Sequence, residues 1–517
     1  MVASLLRLLH SGLQDERLIV LDTKAYNRVL VRAGRMTTQW SRLDFQQNPV
    51  FGQTSSCRLI KKGELITRLY LVATMPDIYA QQLAISNVTN YVGPKFGWTN
   101  SLGHALVAQA SVSLGGNRVE TLDSRLLEVM DEYNTSLEKV LDVNKMIGRV
   151  QNGFTETSLG HSSVPTQVIV PLPFWFSRGD LGAALPIDSL HVEEVRVSVQ
   201  FRPINSLYYT DSRSLVGVGG SEGSALWPML GSPFYVSNPS GSVIPGLSYT
   251  GNASKLSGIT MPTKLELGDT YLLAEYIYLD KPEANRFRIA DIEIPIVQHV
   301  AIDVKDTRRA LFYQIPFEIQ NPTRHLYFMA QNYYASAHNA FFLATTDLSG
   351  DGKLWWPDCS GLNGAYYSPL KPGFSTRGSE PFNLIELVYE GSYVRTSTEN
   401  CAMYRSILPS LEERKSPWHN RYMYCLPFGV HSGYTEPSIL MGEANMNRIM
   451  KKELRLGLNS AQQMWIYSWA ETYNILKIYG GRGTLFFAYY SLYNNKLHVA
   501  ARSFSLGRTT SAFLPYL

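Results

Sequence analysis

Apolar and polar residues alternate with a period of two along much of this chain. Val195, Val197, Val199 and Phe201 alternate with Arg196, Ser198, Gln200 and Arg202. Leu311, Tyr313, Ile315, Phe317 and Ile319 repeat the pattern, as do Leu454, Leu456 and Leu458. Successive side chains of a strand point to opposite faces, so each run predicts a strand with one buried and one wet face. Residues 272–279 are apolar on both faces and predict a strand lying deeper. Clusters of Gly, Pro, Asn and Ser separate the runs. This texture belongs to antiparallel β-sandwiches.

One segment breaks the rhythm. Leu126, Leu127, Met130, Tyr133, Leu137, Val140 and Leu141 form an apolar stripe at helical spacing. Asp123 stands at the N-cap position and Gly148 where a glycine stops a helix, so the spacing predicts one helix between them, covering a sandwich end. At the N-terminus, Leu5, Leu6, Leu9 and Leu13 fall on one side of a helix. Arg7 interrupts that segment and no long apolar core follows, which argues against a signal peptide. It reads either as a helix packed on its own domain or as an arm that docks on a neighbour or a membrane surface.

Length divides the chain. A single core does not serve 517 residues, and two domains of roughly 200–250 residues are the natural partition. The strand rhythm changes between Asp280 and Arg288 and restarts at Ile294. The expected organisation is an arm over 1–24, a first domain over 25–288 and a second over 289–517. Residues 209–262, crowded with Gly, Ser and Pro, read as a long insertion loop in the first domain.

Charge and composition point to protein partners. Charged residues make up 17% of the chain, below the ~25% usual for soluble domains. With 31 Tyr, 21 Phe and 9 Trp, such a chain is expected to hide much of its surface against partners. Lys and Arg number 47 against 43 Asp and Glu, a net +4 that is nearly neutral at this length. The basic residues are scattered, so no direct nucleic-acid binding is expected. The four cysteines form no CxxC pair, which gives no zinc spacing and suits free thiols in a reducing compartment. No run of 18 apolar residues is present to span a bilayer as a helix.

Chemical motifs are sparse. Gly219-Gly-Ser221-Glu-Gly223 matches GxSxG, but it lies in a glycine-rich loop without the strand-to-helix elbow that a nucleophile needs. Gly480-Gly-Arg-Gly483 lacks the Lys-Ser/Thr of a phosphate loop. Asp347, Ser349, Asp351 and Asp358 have the spacing of a calcium loop, with Asp for the usual final Glu. The segment before them reads as strand, so a plain Asp/Gly turn is the simpler account. Asn87, Asn134 and Asn252 each begin a glycosylation triplet, with Asn134 disfavoured by its place in the helix. No HExxH and no evident carboxylate pair is found, so no catalytic residue, no cofactor and no enzymatic activity is expected.

Several segments, in order, resemble the major capsid proteins of nucleocytoplasmic large DNA viruses. The most specific is Pro171-Leu-Pro-Phe-Trp-Phe176, leading through Ala184-Leu-Pro186 to the 194–202 strand. Asn48-Pro-Val-Phe-Gly52, Gly63-Glu-Leu-Ile66 and Trp98-Thr-Asn100 precede it, with Gly115-Gly116 at a turn and Glu128, Asp131 and Glu132 at the family's acidic spacing. The 269–280 strand, Glu436-Pro-Ser438 with Ala444-Asn445 and Arg448-Ile449, and Tyr473-Asn474 with Gly480-Gly-Arg-Gly483 follow. Five residues separate Ser438 from Ala444, more than the family's spacing, and neither the 209–262 loop nor the tail after Asn495 has a counterpart. The resemblance implies an all-β chain of two consecutive antiparallel eight-stranded jelly rolls, with a few short helices and long inserted loops. It implies a homotrimer of pseudo-sixfold outline that tiles an icosahedral shell, assembled in the host cytoplasm. Expected partners are other copies of the chain, neighbouring capsomers, and minor capsid and penton proteins, with the N-terminal arm meeting minor proteins or an internal membrane. The alternatives are an assembly scaffold or minor capsid protein of the same fold, or a carbohydrate-active β-sandwich protein.

Overall fold

The computed structural model describes residues 36–76, 96–149, 167–210, 266–332, 341, 342, 344 and 380–487, except 392, 399, 412–414, 418–421, 430–441, 460 and 462. The N-terminal arm, the 211–262 part of the insertion, Asn87, Asn252 and the calcium-loop candidates Asp347, Ser349, Asp351 and Asp358 lie outside the described residues.

The first half contributes β1 (Met36–Asp44), β2 (Thr54–Arg58), β3 (Leu65–Thr74), β4 (Phe96–Trp98), β5 (Val107–Leu114), β6 (Asn117–Asp123), β7 (Gln167–Pro171), β8 (Leu185–Pro186), β9 (Val195–Phe201), β10 (Tyr208–Thr210) and β11 (Thr270–Leu279). One sheet runs β1-β11-β3-β7 with β8 also on β3, its partner runs β2-β9-β5-β6, and β10 pairs β4 apart from both. The second half contributes β12 (Ile292–Asp306), β13 (Phe312–Pro316), β14 (Pro322–Asn332), β15 (Phe382–Tyr389), β16 (Tyr393–Thr398), β17 (Met423–Pro427), β18 (Ala444–Asn445), β19 (Lys452–Leu458), β20 (Met464–Tyr479) and β21 (Arg482–Leu485). Its sheets run β12-β20-β14-β17, with β18 on β14 and β21 on β20, and β13-β19-β15-β16. With the short strands included, the sheets hold five and four strands in the first half and six and four in the second. The first strand of each half pairs with the last long one, β1 with β11 and β12 with β20, all antiparallel. Strands distant in sequence thus become neighbours, as the wrapping of a jelly roll requires.

The period-two runs fold as their pattern dictates. Val195, Val197, Val199 and Phe201 are buried and Arg196 and Gln200 exposed, on a strand held between β2 and β5. Leu454, Leu456 and Leu458 are buried on β19. Ile315, Phe317 and Ile319 are buried, but Leu311 is 57% exposed because it precedes the edge strand β13. Val197→Thr puts a hydroxyl where Val197 meets only core, at nearly unchanged volume. A loss of about 1–3 kcal/mol is expected, read as a lower urea midpoint with unchanged slope. A midpoint equal to the parent's would contradict the inward assignment.

The single helix expected between Asp123 and Gly148 is two. After the short α1 (Leu102–Leu106) come α2 (Ser124–Asn134) and α3 (Val140–Ile147). The caps agree with expectation: Asp123 accepts from Leu126 N, and Gly148 takes the left-handed φ of 69°. The break falls at Asn134-Thr135-Ser136, residues that compete for backbone groups. Asn134 Nδ2 donates to Met130 O at 2.7 Å, and Thr135 is already extended. Leu137 and Leu141, placed in the stripe by the spacing, are 74% and 60% exposed.

Between the halves, Asp280 caps α4 (Lys281–Ile289), which occupies the change of rhythm seen in the sequence. Among the described residues, no sheet contains strands from both sides of α4. The halves nevertheless share one apolar cluster, and the rings of Tyr133 and Tyr327 lie 6.0 Å apart across the boundary.

Candidate functional site at the seam between the two sandwiches

A protein that works through its surfaces needs a rigid body to carry them. What joins the two sandwiches here is polar as well as apolar. On one side, β6 leads into α2 and presents Val119, Glu120 and Asp123. On the other, β12, β14 and β20 present Gln298, His299, His325 and Glu471.

The contacts interlock. Trp469 Nε1 donates to Asp123 Oδ2 at 2.8 Å, while the other oxygen of Asp123 caps α2. Gln298 Nε2 donates to Val119 O at 2.6 Å, and Asn474 Nδ2 donates to Gln298 Oε1 at 2.8 Å. Glu120 accepts from Trp175 N, the centre of the Leu-Pro-Phe-Trp-Phe segment, at 2.9 Å, and from His299 Nδ1 at 2.9 Å. Arg178 Nη1 donates to Glu471 Oε1 at 3.1 Å, and Glu471 Oε2 accepts from His325 Nδ1 at 2.8 Å and Tyr327 OH at 3.2 Å. The side chains of Arg178, Glu471, His299 and Glu120 are at most 1% exposed. Farther along, Arg125 donates twice to Gln331 Oε1 and lies over the Tyr467 ring at 4.1 Å. Tyr133 OH donates to Met423 O at 2.7 Å, and Gly483 N to Glu193 Oε2 at 3.1 Å.

A second buried cluster holds the helical cover in place. Glu128, Asp131 and Glu132 fall three and four residues apart on α2 and so share a face. Arg149, just after α3, approaches all of them: Glu128 at 2.7 Å, Asp131 in a short ion pair and Glu132 at 3.6 Å. His104 Nδ1 lies 2.6 Å from Glu128, and Ser101 Oγ donates to the same carboxylate. Lys415 from the second half stands 3.5 Å from Glu132, tying this cluster too across the seam.

The charges settle each other. Burial opposes ionisation of Glu471, but the His325 hydrogen bond and the charges of Arg324, His325 and Arg178 outweigh it and hold its pKa well below the ordinary 4.5. Burial likewise opposes ionisation of Asp131, and Arg149, His104 and Thr135 outweigh it, lowering its pKa from 3.8. Arg202, sealed in by burial and beside the Arg125 charge, is lowered to about 9. A depressed carboxylate stabilises fully above its unfolded value and loses that contribution as pH falls through the folded one. The urea midpoint is therefore expected to fall on acidification below the 3.8–4.5 range of these carboxylates. A midpoint that rises there would contradict an ionised seam.

Such an arrangement fixes groups rather than reacting. Its acids and bases are hydrogen-bonded to one another inside the protein. Cys57, Cys401 and Cys425 are buried, and burial pushes Cys57 and Cys401 up to about 12, which makes those two poor nucleophiles. Among the described residues, no group of three His, Cys, Asp or Glu side chains is placed to hold a metal ion. Gly480-Gly-Arg-Gly483 is the tight turn between β20 and β21, with Gly480 and Gly481 at φ of 55° and 78°. Gly481 packs so closely on His191 that a Cβ there would lie 2.5 Å from the ring.

Known proteins resemble this chain in sequence and in fold. Residues 25–222 match the family model described as the major capsid protein N-terminus. The major capsid protein of Rana tigrina ranavirus is 23% identical over 443 residues, covering 84% of this chain and 86% of its own. The chain is similar to major capsid proteins. Capsid protein 1 of Acanthamoeba polyphaga mimivirus is 27% identical over 228 residues, a match that covers 42% of this chain but only 37% of that capsid protein. The Faustovirus major capsid protein covers 93% of the chain at a TM-score of 0.61 and 12% identity. PBCV-1 VP54, fitted into a reconstruction of the virophage Sputnik, covers 90% at a TM-score of 0.61 and 16% identity. The fold common to these capsid proteins is the double jelly roll, and the sheets described above are this chain's version of it.

The seam escaped the sequence reading: Asp123, Glu128, Asp131, Glu132, Tyr133 and Asn474 were noted there as a cap, a spacing, a stripe or a motif, and not as contacts between the halves. A signal was present. Gln298 and His299 interrupt the apolar run of β12, and Glu471, Thr472 and Asn474 that of β20. Polar residues buried in apolar strands require partners, and the partners here lie across the boundary.

Proposed function

We propose that this chain is the major building block of an icosahedral virion shell of a large double-stranded DNA virus. Three copies form a capsomer of pseudo-sixfold outline, and capsomers meet side by side. What carries this reading is a match to a major capsid protein that runs through both halves, 84% of the chain, on a body whose two sandwiches are locked by buried polar contacts. Two locked jelly rolls per chain give a trimer six similar lobes, the outline needed to tile a lattice.

In this reading the first jelly roll spans 25–288 and the second 289–517, with the arm over 1–24 reaching minor capsid proteins or an internal membrane. The chain performs no catalysis and binds no nucleic acid directly; its partners are its own copies and the minor capsid and penton proteins. Assembly takes place in the host cytoplasm. Counting polypeptides in purified particles by quantitative mass spectrometry tests the assignment. The chain is expected to be the most abundant protein of the particle. Presence only in assembly intermediates, or at a small fraction of the main shell protein, would replace this reading with a scaffold or a minor capsid protein.

A further inference from the structure

The strongest unexplained feature of the seam is Arg324. It is 1% exposed, and none of its three guanidinium nitrogens has a hydrogen-bond partner among the described residues. A guanidinium does not deprotonate inside a protein, and a buried charged donor without an acceptor is costly.

The backbone explains how the side chain comes to be there. The register of β14 against β20 slips between Thr323 and His325, so Arg324 is the extra residue of a β-bulge. On the other edge of β14, the neighbour changes at the same point. Thr323 is opposite Ala444 of β18, and His325 is opposite Pro427 of β17. The Arg324 carbonyl is satisfied by Phe428 N at 2.9 Å, so it is the side chain that lacks a partner. On the neighbouring strand β18, the buried Oδ1 of Asn445 also lacks one.

Glu471 is close enough for its ionisation to be favoured by the Arg324 charge. Its oxygens, however, bond Arg178, His325 and Tyr327 instead. Arg324 therefore adds a buried positive charge to this network without a hydrogen-bonded acceptor of its own. A water molecule could meet the donors but not the charge, whereas a singly charged anion meets both. A doubly charged oxyanion would overshoot it.

We propose that the bulge at Arg324 is a binding site for one small monovalent anion, of chloride or bromide size, held by the guanidinium. Bound there, the anion stabilises the second jelly roll where β14 exchanges β18 for β17.

Bromide is the probe. Crystals of the full chain grown in sodium bromide and measured at the bromine edge are expected to show an anomalous peak against the Arg324 guanidinium. In solution, the parent's unfolding midpoint is expected to gain on that of Arg324→Met as the logarithm of bromide concentration rises. The gain should be about 2–3 °C over two decades of concentration, with none in sodium gluconate. Comparing two proteins in each salt removes the general effect of the salt on folding. If Arg324→Met does not fold, Arg324→Lys keeps a charge with fewer donors and should show a weakened bromide response. Absence of the peak overturns the proposal and leaves water as the occupant. A peak without bromide-specific stabilisation that depends on Arg324 identifies an adventitious ion only, and overturns it too.

Discussion

Truncation of Glu471 to Ala is expected to destabilise the protein by about 3–5 kcal/mol, the range found when one member of a buried ion pair is removed. Glu471 is fully buried, and its carboxylate accepts from Arg178 across the seam and from His325 and Tyr327 within the second half. Removing it leaves the Arg178 guanidinium, 1% exposed, without this counter-charge. The cost thus exceeds the loss of a few hydrogen bonds, each worth about 1 kcal/mol net. Urea unfolding followed by tryptophan fluorescence reads the change as a shift in midpoint. Glu471→Gln, which keeps the shape and one acceptor, should cost less. A double-mutant cycle with Arg178→Met should show a coupling above about 0.5 kcal/mol, as residues in one network do. A Glu471→Ala variant within about 0.5 kcal/mol of the parent would mean that the seam does not hold the sandwiches together.

Arg149→Met is expected to be comparably severe, with an opposite dependence on acid. It leaves Glu128, Asp131 and Glu132 together on one face of α2 without the cation that approaches all of them. Lys415 remains near Glu132, but 3.5 Å away and on that carboxylate alone among the three. A loss of about 3–5 kcal/mol is expected near neutral pH. In the parent, the lowered Asp131 makes acidification destabilising. In the variant, three buried carboxylates repel one another with only His104 and Lys415 beside them, so acid relieves that repulsion. The gap between variant and parent should therefore narrow as pH falls toward the ordinary carboxylate range. A gap that is constant with pH would show that Arg149 acts through packing rather than charge.

Strands were legible wherever one face is wet and the other buried. Val195 to Phe201 gave both the strand and its inward face, because alternation records burial directly. The helical caps were legible too, since Asp123 and Gly148 act through local geometry. The break between α2 and α3 was not, because Leu126, Leu127, Met130, Tyr133, Leu137, Val140 and Leu141 keep helical spacing across it. Periodicity does not register that Asn134 and Thr135 divert the chain. The change of rhythm near Asp280 falls where α4 lies, although the helix itself was not foreseen. The seam was least legible. Glu120 and His299 are 179 residues apart, and Arg178 and Glu471 are 293 apart. Nothing local links such residues; only the oddity of polar side chains inside apolar strands hints that they meet.

In the proposed function this chain builds a shell from trimers, each chain supplying two locked lobes. Negative-stain electron microscopy of the purified full chain at micromolar concentration tests it most directly. The account predicts three-chain particles with a six-lobed outline, the lobes paired within each chain. Folded single chains that persist at that concentration, with no trimeric class, would contradict it.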